Sequence, residues 1–66
     1  MQARIKIFAE DGKYGIRLSI GVQHFTVYEL TDEGEQHARW RASMLKKALI
    51  NAGAKAILVK RVDTGF

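Results

Sequence analysis

The chain of 66 residues contains 11 Lys or Arg, 7 Asp or Glu, no cysteine and no proline, and its formal charge is +4. Without cysteine it can form neither a disulfide nor a thiolate metal site. Apolar residues make up 47% of the chain, which is a larger fraction than disordered tails contain. No apolar run approaches the roughly 20 residues of a membrane span and no signal-peptide pattern is present, so we expect one cytoplasmic domain over residues 1–66 with no membrane contact.

Residues 3–30 alternate between apolar and polar with a period of two, which is typical of half-buried β-strands. The Asp11-Gly12 dipeptide is a strong signal for a two-residue hairpin, because both central positions of a type I′ turn need positive φ. A turn there pairs Ile7 with Ile16, and apolar residues then face apolar residues along both strands. The sequence therefore predicts an antiparallel hairpin.

A second turn is needed further along, because apolar residues hold even positions as far as Val22 and odd positions from Phe25 onward. A two-residue turn at Gly21-Val22 restores a single apolar face, with glycine in the first central position as a type II′ turn prefers. This register places Ile16 opposite Val27. The alternative is one long bent strand over 14–30 with a bulge near Gly21.

The resulting three-stranded meander has two faces. The apolar face, which we expect to form the core, carries Ile5, Ile7, Ala9, Tyr14, Ile16, Leu18, Phe25 and Val27. The opposite face, called here the open face, carries Arg4, Lys6, Phe8, Gly15, Arg17, Ser19, His24, Thr26 and Tyr28.

Apolar residues recur with a helical period over residues 32–52, which predicts an α-helix there. Thr31 or Asp32 is the expected N-cap, and Gly53 is the expected residue just beyond the C-cap. The apolar stripe that would pack on the sheet consists of Ala38, Ala42, Leu45, Leu49 and Ala52.

A short β-branched run over 55–62 predicts a fourth strand. A right-handed crossover through the helix would place it beside and parallel to the first strand, in sheet order 3-2-1-4. The predicted fold is therefore α+β with element order βββαβ, in which one helix packs on one face of the sheet. The alternative with one long bent second strand has the order ββαβ.

Catalytic and metal-binding motifs are absent from the sequence, which has no GxSxG, Walker-type or HExxH pattern. Most carboxylates lie in the first turn or at the start of the helix, and His24 and His37 lack metal-ligand spacing. We interpret His37 as a residue at the edge of the core. The sequence thus predicts no enzyme, no cofactor, no metal and no small-molecule substrate.

Basic and aromatic residues coincide on the open face, where Lys6 is expected opposite Arg17 although like charges that face each other are destabilising. Cations for phosphates and rings for bases are typical of single-stranded nucleic-acid binding. The candidate residues are Arg4, Lys6, Phe8, Arg17, His24, Tyr28 and Lys60. The alternative interpretations are that the rings only cover Gly15, or that this face binds an acidic protein surface or a second copy of the chain.

The outer side of the helix is a second candidate surface, for a protein partner. Its residues are Arg39, Trp40, Ser43, Lys46, Lys47 and Ile50. Trp and Arg are enriched at interface hot spots, and this surface would suit a small regulator or inhibitor, such as phages or mobile elements encode, that docks on a host protein. Glu35 can pair with Arg39, and we favour the plainer interpretation that Trp40 covers the edge of the small core.

Overall fold

The computed structural model describes residues 2–64, which form β1 (Gln2–Glu10), β2 (Lys13–Ile20), β3 (Gln23–Thr31), α1 (Glu35–Asn51) and β4 (Lys55–Leu58). The four strands form one sheet in the order β3-β2-β1-β4. Strand β4 is parallel to β1, and the other neighbours are antiparallel. Helix α1 packs against β4, β1 and β2. The predicted α+β fold with the order βββαβ is therefore confirmed, and the alternative with one long second strand is wrong.

The first hairpin has the predicted turn and register. Asp11 and Gly12 have φ of 52° and 76°, as both central residues of a type I′ turn require. Every residue from Ala3 to Glu10 has the partner that this turn dictates, including Ile7 opposite Ile16. The turn and the apolar pattern therefore specify one register together.

The second turn is also where the sequence predicts it, with Gly21 at φ 61°. Beyond the turn Leu18 lies opposite Phe25 as expected, but Ile16 lies opposite Tyr28, so the prediction of Val27 at this position is wrong. The register shifts twice along β3, between the partners of Arg17 and Ile16 and again before Thr31. Each shift places an extra residue on β3, as a β-bulge does.

The core lies between α1 and the central strands. Its buried side chains are Ala3, Ile5, Ile7, Ile16, Leu18, Ala38 and Ala42. Burying an isoleucine side chain contributes roughly 1.5–3 kcal/mol to the free energy of folding. The three fully buried isoleucines, Ile5, Ile7 and Ile16, are therefore the main contributors to the core. The expected core residues Phe25 and Val27 are instead exposed, because α1 lies over β1, β2 and β4 and not over the edge strand β3.

The helix starts later than predicted. Gly34, at φ 100°, is the N-cap residue and no side chain caps the first turn, so the prediction of a cap at Thr31 or Asp32 is wrong. The hydroxyl of Thr31 instead accepts a hydrogen bond from the Glu33 N–H at 3.4 Å, which forms a turn ahead of the helix.

The C-terminal end of α1 has the predicted glycine. Gly53, at φ 91°, donates its N–H to the carbonyl of Ile50 at 3.0 Å, and Ala54 donates to Leu49 at 2.9 Å. These two bonds form a Schellman motif, in which glycine adopts the left-handed conformation without strain. The motif turns the chain back toward the sheet, where β4 begins two residues later.

After β4 the chain continues along the outer edge of β1. Val59 donates its N–H to the carbonyl of Ile5 at 2.9 Å, and Asp63 donates to Ile7 at 2.8 Å and accepts from Ala9 at 3.0 Å. Strand β1 is therefore hydrogen-bonded on both sides over most of its length. Among the described residues, no helix is both long enough and apolar enough to cross a membrane.

Candidate nucleic-acid interface

The basic side chains of the open face lie where the hairpin register predicts them. Lys6 lies opposite Arg17, and Arg4 lies opposite Ser19. Across the next pair of strands Ser19 lies opposite His24. Two rows of polar residues thus cross the sheet, and the predicted arrangement of these five residues is confirmed.

A hydrogen bond fixes His24 on this face. The Oγ of Ser19 and the Nδ1 of His24 are 2.8 Å apart. Because Nδ1 is occupied in this way, a contact between His24 and a ligand would use Nε2.

Two shallow hollows adjoin each other on the open face, and Lys6, Ser19 and His24 line both of them. The first has a volume of about 380 Å³, and its other lining residues are Gln2, Ala3, Arg4, Gly21 and Ile57. The second has a volume of about 300 Å³, and its other lining residues are Arg17, Phe25, Thr26 and Asp63. The cations Arg4, Lys6 and Arg17, together with His24, are called the basic surface from here on.

Phe8 lies on the open face, but it is buried and only 5% exposed. Its ring covers Gly15, where a Cβ atom would come within 2.6 Å of the ring. The guanidinium of Arg17 lies over the ring, 4.2 Å from its centroid. The prediction that Phe8 is an exposed ring for base stacking is therefore wrong, and its interpretation as a cover for glycine is confirmed.

Tyr28 does not belong to the open face. The bulge in β3 places it opposite Ile16 on the side of the sheet that faces α1, where the guanidinium of Arg41 stacks 4.6 Å from its ring centroid. The prediction that Tyr28 joins Phe8 is wrong because one extra residue in a strand sends the following side chains to the other face.

Lys60 lines neither of the two hollows of the open face. Strand β4 ends at Leu58, and the carbonyl of Lys60 accepts a hydrogen bond from Nη2 of Arg39 at 3.4 Å. Arg61 instead shares a third hollow, of about 350 Å³, with Lys6 and Asp63. The sequence missed Arg61 and Asp63 because strand alternation does not continue through the loop after β4.

Similarity to known proteins does not identify the chain. It matches no protein-family model, no curated protein and no solved structure. Within residues 2–64, no group of three or more His, Asp or Glu side chains is arranged to hold a metal ion.

The outer side of the helix has a mixed character. Nε of Arg39 donates to the carboxylate of Glu35 at 2.8 Å, as their spacing predicts. Ser43 and Lys47 are exposed and Lys46 is half-buried, while Ile50 is 49% exposed. These side chains form a solvated surface with one exposed apolar residue.

Trp40 does not cover the core, because 59% of it is exposed. It lines a hollow of about 370 Å³ together with Tyr28 and Met44, and Ile50 is not among the lining residues. The ring of the partly exposed His37 lies 5.7 Å from that of Trp40. The interpretation of Trp40 as a cover for the core is therefore wrong, whereas that of His37 as a residue at the edge of the core stays a prediction.

Proposed function

We propose that this chain is a cytoplasmic, non-enzymatic binding module that contacts the phosphates of nucleic acid through the open face. The observation that supports this most directly is that Lys6, Ser19 and His24 line both hollows, with Arg4 in one and Arg17 in the other. Among the described residues that line the three hollows of this face, Asp63 is the only acid.

The opposition of Lys6 and Arg17 supports an anionic ligand. The two residues are direct cross-strand partners, and like charges in that position destabilise a sheet. Lys and Arg on exposed strands also improve solubility, but solubility does not require them to face each other. An anion bound between them would offset the repulsion, as phosphates do for Arg and Lys.

The burial of Phe8 indicates which part of the nucleic acid is contacted. With this ring beneath Arg17 and Tyr28 on the opposite side of the sheet, the basic surface lacks the two rings that were expected to stack on bases. Among the described residues that line the two hollows, Phe25 is the one with a phenyl or phenol ring, and it lies opposite Leu18 on the helix side. The expected contacts are therefore with the sugar-phosphate backbone. Backbone contacts hold the nucleic acid in place without reading its sequence.

The test is a salt titration of oligonucleotide binding by fluorescence anisotropy, with single-stranded and duplex DNA of random sequence. The variant pair is Arg4→Gln/Lys6→Gln, and the matched control is Lys46→Gln/Lys47→Gln, which removes the same charge from the helix. Each phosphate contact contributes about 0.9 to the slope of log K against log salt for duplex DNA and about 0.7 for single strands. We expect the open-face variant, which removes two such contacts, to reduce this slope by about 1.8 on duplex DNA and by about 1.4 on single strands.

The control variant should leave the slope within about 0.5 of the original value, because Lys46 and Lys47 would not touch a phosphate. Equal losses in both variants would show that only the net charge of +4 matters and would refute a defined surface. Absence of binding at low salt would refute the nucleic-acid proposal altogether.

The alternative proposal is a small regulator or inhibitor that docks on a host protein, possible sources being phages or mobile elements. Two exposed side chains on α1 favour it, Trp40 at 59% and Ile50 at 49% exposure. A pull-down from the native host, with and without nuclease, separates the two proposals, because a nucleic-acid bridge is lost on digestion and a protein partner is retained. Loss of a nuclease-resistant partner in Trp40→Ala/Ile50→Ala would support this alternative, and unchanged capture would refute it.

A further inference from the structure

Exposed apolar side chains are concentrated along β3 and the neighbouring side of α1. Of the eight large apolar residues that are exposed within residues 2–64, five lie there and expose between 36% and 59% of their surface. These five residues, called the edge surface from here on, are Phe25, Val27, Tyr28, Trp40 and Met44. Clustered apolar exposure on a small protein is typical of an interaction site.

Strand β3 is also the edge of the sheet. It pairs with β2 on one side, and no described strand pairs with its other side. Its sequence QHFTVYELT contains no lysine, arginine or proline over 9 residues, although natural edge strands commonly carry such residues to prevent pairing. The edge surface can therefore accept a further strand.

The charge distribution favours pairing of two copies of this chain through β3 over pairing through their open faces. Two chains of charge +4 that met through their open faces would bring Arg4, Lys6 and Arg17 close to their own copies, and like-charge repulsion would oppose this. The strand β3 carries one acid, Glu29, and one histidine, His24. With Glu29 on the strand and the Arg41 guanidinium stacked on Tyr28, opposite charges balance at this edge. A basic protein can therefore approach its own copy there.

The bulge makes β3 complementary to itself. Phe25 and Tyr28 are three residues apart, yet both lie on the helix side, opposite Leu18 and Ile16. In an antiparallel pair of β3 strands with the two-fold axis between residues 26 and 27, Phe25 of one copy would face Tyr28 of the other. His24 would then come opposite Glu29. A regular strand would send residues three apart to opposite faces and could not form this pair.

We propose that a second copy of the chain binds antiparallel along β3, which joins two four-stranded sheets into one of eight strands. The aromatic pair of Phe25 and Tyr28 would repeat on each side of the axis, as an isologous interface requires. Trp40 and Met44 would flank these rings on the helix side. Because the axis is perpendicular to the sheet, both basic surfaces would lie on the same side of the dimer. This proposal does not depend on nucleic-acid binding.

Cysteine cross-linking is the direct test, because the chain has no cysteine of its own. Thr26→Cys lies next to the proposed axis, where Thr26 would pair with Val27 of the second copy and lie diagonally across from its own copy. Strand spacing and rise put the two Thr26 Cα atoms roughly 6 Å apart, which is close enough for a disulfide. We expect mild oxidation to convert most of this variant to a covalent dimer. Ser43→Cys, on the exposed side of α1, is the matched control and should remain monomeric. Equal cross-linking of the two variants would overturn the proposed register.

Sedimentation equilibrium of the unmodified chain, from about 1 µM to about 1 mM, should show a twofold increase in mass with concentration. Phe25→Lys places a charge on the edge, which is a natural defence against pairing, and should remain monomeric throughout. Circular dichroism shows whether this variant is folded, and Phe25→Leu, which should still dimerise, is the conservative control. A monomeric unmodified chain at every concentration would overturn the proposal and assign the edge surface to a different protein.

Discussion

The close contact between Phe8 and Gly15 gives the sharpest test of the packing on the open face. In Gly15→Ala the new Cβ would lie 2.6 and 2.7 Å from two atoms of the Phe8 ring and 2.8 Å from the backbone oxygen of Tyr28. All three distances are far below normal van der Waals contact, and one of the atoms belongs to the backbone. The substitution therefore requires the strands or the ring to move.

The size of the effect follows from two opposing contributions. Overpacking a close contact costs about 1–3 kcal/mol, and Phe8 cannot move outward without displacing Arg17, which lies 4.2 Å above its ring. Replacing glycine by alanine at an unstrained position gains about 0.4–1 kcal/mol by restricting the unfolded chain. We expect Gly15→Ala to lower the free energy of unfolding by about 1–2 kcal/mol.

Urea denaturation measures this loss. With a slope of about 1 kcal/mol per molar urea for a domain of this size, the midpoint should fall by about 1–2 M while the slope stays unchanged. Phe8→Leu removes the ring that the methyl group meets. In that background we expect Gly15→Ala to cost at least about 0.5 kcal/mol less, and the double-mutant cycle reports this coupling.

A neutral or stabilising Gly15→Ala would refute this account. It would mean that the ring of Phe8 does not rest on Gly15 in solution. The ring could then be exposed to bases, and the proposal of contacts with the backbone alone would fail with it.

Three further substitutions test other parts of the structure. Gly21→Val should lower the stability by roughly 1–2 kcal/mol, seen as a lower Tm, because φ of 61° disfavours a β-branched residue, and an unchanged Tm would contradict the type II′ turn. Gly53→Ala should lower the free energy of unfolding by about 1 kcal/mol in the same assay, because alanine disfavours the positive φ of 91° that glycine adopts here. An unchanged stability would contradict the Schellman motif. Asp63→Asn should tighten oligonucleotide binding roughly two- to fivefold by removing the acid that lines a hollow with Lys6, whereas Asp11→Asn in the first turn should have no such effect.

The sequence predicts the first hairpin fully because its determinants are local. Asp11-Gly12 defines the turn, and only one register then places apolar residues opposite each other over the whole length of β1. The Schellman glycine Gly53 is predictable for the same reason. The rows of Arg4, Lys6 and their partners on the open face follow directly from that register.

The second half of β3 cannot be predicted from local signals. Nothing in the residues between Thr26 and Thr31 marks an extra residue, and alternation alone would continue the register from Phe25 to Val27. The bulge is visible only in the pairing with β2, where Ile16 lies opposite Tyr28. The lateral position of α1 is likewise a property of the packed molecule, so the sequence could not show that Phe25 remains exposed.

This bulge separates the two proposed surfaces. It moves Tyr28 from the open face to the helix side, which leaves the basic side chains on one side of the sheet and Tyr28 beside Trp40 and Met44 on the other. The surfaces still adjoin at Phe25, which lines the second hollow, and at His24, which would face Glu29 of the second copy. Arg4 and Lys6, in contrast, lie on β1, two strands away from the β3 edge. Accordingly, we expect Arg4→Gln/Lys6→Gln to weaken oligonucleotide binding while leaving the monomer–dimer equilibrium within about twofold of the original, as residues without shared contacts act independently. A change in both measurements would show that the surfaces are coupled through the sheet.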